Sequence, residues 1–159
     1  MKPLIEWLDD PEVFRVNQLP AHSDHRWFRT DKELAAQTSS FRQSLNGQWA
    51  FKYADNPQER PVGFQEPGNP REGFTTIQVP GHVELQCFAK NQYINTLYPW
   101  EGHLYRRPAY TLDGDPQKGS FSQGQDNSVA CYVRRFDLTD GLKTASKVRV
   151  RFEGVEKAI

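Results

Sequence analysis

From position 44 the chain alternates. Leu45, Gly47, Trp49, Phe51 and Tyr53 fall on one side of a two-residue period, and Asn46, Gln48 and Lys52 on the other. That pattern predicts a half-buried strand. Thr75, Ile77 and Val79 repeat the period and predict a second strand, stopped by Pro80-Gly81. Strand character resumes over 129–138, but its apolar positions change phase, from Cys131 and Val133 to Phe136 and Leu138. A phase change at Arg134-Arg135 implies a bulge or a change of sheet. Val148, Val150 and Phe152 then alternate with Lys147, Arg149, Arg151 and Glu153, predicting a last strand with one wet face. The stretches 56–70 and 113–128 are rich in Pro, Gly and polar residues and read as loops.

Residues 1–43 lack this alternation. Trp7, Phe14, Trp27 and Phe28 stand as isolated anchors among Pro, Asp and His. Thr30-Asp31-Lys32-Glu33 has the spacing of a capping box and predicts a short helix through about Ser39. Short strands joined by Gly/Pro loops specify an all-β sandwich. The chain divides into an N-terminal arm, 1–43, and a β-domain, 44–159. A strand ending at Glu153 leaves an edge that calls for further partners, so the β-domain is expected to be incomplete and the chain a piece of a longer one.

Composition adds limits. The 159 residues suit about one domain. Lys plus Arg and Asp plus Glu number 20 each, so net charge is zero and the attraction needed for nucleic acid or an anionic membrane is missing. No run approaches the roughly 20 apolar residues of a membrane span. The acidic start, MKPLIEWLDDPEVF, does not read as a signal peptide; a cytoplasmic location is expected. Cys87 and Cys131 have no CxxC spacing and are expected to be two free, buried thiols rather than a disulfide.

Candidate chemistry is sparse. Glu84 and Glu101 have apolar or aromatic neighbours, yet nothing in their spacing makes them converge. His22 and His25 flank Asp24 without an evident third ligand, and read as solvated turn residues. His82 and His103 follow glycine-containing turns. There is no phosphate loop and no nucleophile elbow, so no catalytic residue and no metal site is assigned. Asn95 differs in its company: Tyr93, Tyr98 and Trp100 surround it. Rings can stack on a sugar's apolar face, and an amide both donates to and accepts from a hydroxyl. The same amide could instead cap a turn or bond its own backbone. On the residues alone, both readings stand.

Five blocks in order, "WLDDPEVFRVNQLPAHSDH" (7–25), "SLNGQWAFKYA" (44–54), "IQVPGHVELQ" (77–86), "YINTLYPWEG" (93–102) and "FEGVEKA" (152–158), resemble the N-terminal part of family 2 glycoside hydrolases of the β-galactosidase type, in particular the large chain of two-subunit bacterial enzymes. The resemblance implies an arm followed by a jelly-roll sugar-binding domain. The remaining strands, an immunoglobulin-like domain and a TIM barrel would follow later in such a parent. It places the family's acid/base and nucleophile glutamates in that barrel, with no counterpart here. Its main active-site magnesium ligands, and the aspartate that meets both galactose and sodium, have none either.

The asparagine of the family's Y-x-N-x-x-Y-P block, which touches the galactosyl group, matches Asn95, and Trp100 would help shape the same pocket. Magnesium and sodium are thus implied for the parent enzyme. In the arm Asp10 could be one magnesium ligand, but its flanks depart from the family pattern and the site is not carried over. The implied partners are a β-galactoside, the parent's other domains, and a small β-galactosidase subunit or further copies of the chain. Trp7, Phe14, Trp27 and Phe28 would act as interface anchors. The competing reading is a stand-alone carbohydrate-binding module without hydrolytic activity. A β-glucuronidase of the same family fits the arm and the "INTLYPW" block less well.

Overall fold

The alternating stretch centred on Trp49 and Phe51 becomes the middle of a sheet. The computed structural model describes residues 4–10, 12–89, 121–124 and 127–155. Strands β1 (Gly47–Ala54), β2 (Thr75–Val79) and β3 (Val129–Val133) form an antiparallel sheet in the order β2-β1-β3. The all-β class read from the sequence holds. Two compact units are separable along the chain: 1–20 with 46–134, and 21–45 with 135–159.

In the first unit, Trp49 lies opposite Ile77 and Phe51 opposite Thr75, while Phe51 also faces Tyr132 across β3. Phe51 is fully buried, 0 % exposed, and Ile77 is buried on the same face. Its ring packs against Phe88 at 4.6 Å and Tyr132 at 4.9 Å between centroids, both tilted. The opposite face is not simply wet, because Ala54 and Cys131 are buried on it. Burial pushes the Cys131 thiol up, against the charges of Arg60 and Lys52. The two cysteines are free as expected, but Cys87 is exposed rather than buried.

Asn56, just past β1, is a buried polar residue whose oxygen and nitrogen are both hydrogen-bonded. Its Oδ1 accepts from the Gln58 and Glu59 amides at 3.1 Å each, and its Nδ2 donates to Glu59 Oε1 at 2.9 Å. It thereby caps the 3-10 turn Pro57–Glu59. At the other end, β3 stops at Val133, where the sequence changes phase. The Arg134 guanidinium donates to the Gln48 carbonyl, so a side chain takes the next rung of the ladder. The predicted strand over 129–138 is thus five residues long.

The second unit opens on helix α1 (Asp31–Ala36). Thr30 Oγ1 accepts from the Glu33 amide at 3.2 Å, as the capping spacing predicts, and Glu33 Oε2 accepts from the Arg29 amide at 2.8 Å. The helix ends three residues earlier than expected because Gln37 turns left-handed at φ 52°. Replacing Thr30 with alanine is expected to cost about 1 kcal/mol of stability, read as a lower urea midpoint; an unchanged midpoint would show that the cap is dispensable. The short helix α2 (Asp140–Lys143) carries Gly141 in its first turn, where a Cβ would clash with the Ser40 carbonyl oxygen. Gln43 bridges to the Asp137 carbonyl at 2.8 Å and to the Thr139 amide at 3.0 Å.

The predicted strand over 147–153 is corrected. No ladder pairs it among the described residues, and Val150 is 60 % exposed. A strand exists through its inter-strand bonds, and alternation alone does not supply them. Side chains tie this segment down instead: Arg151 pairs with Asp24 and, at 3.0 Å, with Glu153, which also meets Arg42 at 3.5 Å. The hydrogen bond from Arg151 holds the Asp24 carboxyl below its usual value. All four groups are solvent-accessible, so each pair adds little.

Candidate functional site

Asn95 and Trp100 lie outside the described residues, as do Tyr93, Tyr98, Glu101 and His103. What the structure places is the ground on which their segment begins and ends. After β2 the chain turns through Pro80-Gly81 into a tight stretch, in which the Cys87 amide donates to the Glu84 carbonyl at 3.1 Å and the Phe88 amide to the Val83 carbonyl at 3.2 Å. Cys87 adopts φ 65°, a left-handed value uncommon outside glycine. That kink precedes the ring that packs on Phe51. The departure point at Ala89 is therefore tied to the sheet's central strand through a three-ring stack, Phe88-Phe51-Tyr132. Burial, followed by the charge of Glu84, raises the Tyr132 phenol above its ordinary value.

A second tie fixes the same turn. Gln86 Oε1 accepts from the Gln78 amide at 2.8 Å, while Gln86 Nε2 donates to the Gln78 carbonyl at 3.0 Å. These backbone groups point away from β1. Gln48 and Gln78 therefore form a close, non-hydrogen-bonded pair, and their side chains meet, Gln48 Nε2 donating to Gln78 Oε1 at 3.0 Å.

The chain re-enters at the 3-10 turn Phe121–Gln123, held from two directions. The Ser122 amide donates to Asp9 Oδ1 at 2.9 Å, and Gln58 Nε2 donates to the Ser122 carbonyl. Asp9 belongs to the 3-10 turn Ile5–Asp9, so the start of the chain packs beside the return point. Gln86, Asp9 and Gln58 did not emerge from the sequence. Contacts from an amide or carboxylate to distant backbone follow no period, and only Gln86 and Asp9 lie within blocks that carry the resemblance.

The other sequence candidates are placed plainly. Glu84 is half-buried beside this turn and His82 is exposed. His25 Nε2 lies 3.0 Å from Ser23 Oγ at the surface, and Asp10 Oδ1 accepts from the Glu12 amide at 2.9 Å. Among the described residues no three His, Cys, Asp or Glu side chains gather as a metal ion would require, and no helix is long and apolar enough to cross a membrane.

No family model matches the chain. Individual relatives do. The chain is 54% identical over 160 residues to the β-galactosidase large subunit of Lactobacillus acidophilus, and 52% identical to that of Lactobacillus helveticus, in each case over 100% of this chain and 25% of the relative. It is 41% identical over 155 residues to the β-galactosidase of Halalkalibacterium halodurans, across 97% of this chain and 14% of the relative. The likeness carried by the five blocks is thus a similarity running the whole length of the chain. The chain spans about a quarter of the length of the large subunits it matches.

Proposed function

We propose that the chain is the N-terminal sugar-binding portion of a β-galactosidase that removes terminal β-D-galactosyl residues, as from lactose, with retention. The observation that carries this reading is the 54% identity, over 100% of the chain, to a β-galactosidase large subunit. In that parent a jelly roll would extend the three-stranded sheet. The general acid and the carboxylate nucleophile would come from the barrel, which this chain does not contain. This portion would contribute a wall of the galactose pocket, with Asn95 bonding a sugar hydroxyl and Trp100 lining the same cleft. Support comes from the resemblance, whose Y-x-N-x-x-Y-P block matches at Asn95.

The resemblance brings magnesium and sodium to the parent enzyme; the described residues gather no ligand set for either, and no step is assigned to them. A small β-galactosidase subunit is the proposed partner, or else further copies of the chain, in the cytoplasm. Phe14 and Trp27, 73 % and 71 % exposed, and the half-buried Trp7 and Phe28 would be interface anchors.

The test is direct. The intact gene product should hydrolyse o-nitrophenyl β-D-galactoside, and purified 1–159 alone should show no turnover. Hydrolysis by the isolated portion would refute the placement of the reactive carboxylates outside it. A natural product that ends at Ile159 and binds galactosides without cleaving them would favour the carbohydrate-binding module instead.

A further inference from the structure

The geometry points to Gln86 as a plug for the outer edge of the sheet, denying β2 to strand addition by a second copy of the chain. Among the described residues β2 is a terminal strand, and Thr75, Thr76 and Gln78 on it are exposed. Its sequence, TTIQV, is rich in β-branched side chains and carries no charge. Such an edge invites antiparallel pairing with its own likeness across a twofold axis.

Alternate residues of an edge strand turn their backbone groups outward. Because Gln48 and Gln78 form a non-hydrogen-bonded pair, the outward positions in line with β2 are 74, 76, 78 and 80. The Phe74 amide donates to the Arg71 carbonyl at 3.1 Å, within its own turn. Gln86 takes both groups of Gln78, at 2.8 and 3.0 Å, as a neighbouring strand would. Pro80 has no N–H to offer. An incoming strand is left with at most Thr76, and a single rung does not hold a strand. Gly81 leaves room for the plug: a Cβ there would sit 2.5 Å from Gln86 Nε2 and 2.8 Å from the Gln78 carbonyl oxygen. The plug's own bonds are exposed, so their loss costs folding little while it opens two consecutive rungs, Thr76 and Gln78.

In the intact gene product, Gln86→Met keeps the side chain's length and removes both hydrogen bonds. Incubated in urea below the unfolding transition, this variant should scatter light at a rate at least about threefold above wild type, through pairing of opened edges. The deciding measurement is rescue. Thr76 is exposed, and Thr76→Lys places a charge on the rung that an incoming strand needs. Added to Gln86→Met, it should restore the wild-type rate. Gly81→Ala, which displaces the amide without altering it, should associate as Gln86→Met does, and serves for comparison if the methionine variant folds poorly. Wild-type scattering by both the Gln86 and the Gly81 variants would overturn the proposal. So would a fast rate for Gln86→Met that Thr76→Lys leaves unchanged, since that association would come from lost stability and not from an opened edge.

Discussion

Replacing Phe51 with alanine should destabilise the N-terminal portion of the intact protein by about 3–5 kcal/mol. The ring is fully buried at the centre of the middle strand and touches aromatic partners on both sides. Its removal forfeits the transfer of a phenyl group from water and leaves a cavity walled by Phe88 and Tyr132, which tilted ring pairing otherwise stabilises. The effect should appear as an early unfolding transition in urea, or as loss of soluble enzyme, with Phe51→Leu much milder. A Phe51→Ala protein that unfolds together with the wild type would show that the three-ring stack is not the centre of this core.

Asn95→Ala should lower kcat/KM of the intact enzyme by about 1–3 kcal/mol, or roughly 5- to 150-fold. A site built to bond a hydroxyl discriminates strongly when one partner is missing, because the other is left unsatisfied in a desolvated cleft. Galactosides deoxygenated at the hydroxyl that Asn95 is proposed to meet should lose most of their discrimination between wild type and variant. Equal kinetics for the two enzymes on all substrates would show that the amide bonds its own backbone, the other reading of its surroundings.

The parts of the fold that could be read ahead share a physical property: their signal is local. The alternation around Trp49 and Phe51, the Thr30 cap and the stop at Pro80-Gly81 each depend on residues within a few positions. Three features needed partners distant in the chain. The 147–153 segment has the alternation of a strand, but no ladder pairs it among the described residues. Strand β3 ends at the phase change because Arg134 turns its guanidinium back to Gln48. The burial of Ala54 and Cys131 on the supposedly wet face follows from what covers that face, which period two cannot report. The candidate pocket was readable only through likeness. Asn95 and its rings suggested a sugar but equally a turn, and the anchors at Gln86, Asp9 and Gln58 carry no chemical signature of their own.

The order β2-β1-β3 also shapes how this portion is made. Strand β1 can zip to β2 once residue 79 has left the ribosome, but Phe51 gains Tyr132 only 53 residues later. At about 5–20 residues per second, translation leaves the central strand with one raw edge and the Phe51 ring half covered for roughly 3–10 s. During that interval the nascent hairpin presents open amides and a phenyl group to every neighbouring chain. Its yield in the cell should therefore fall when elongation is slowed, as well as when the finished sheet is destabilised.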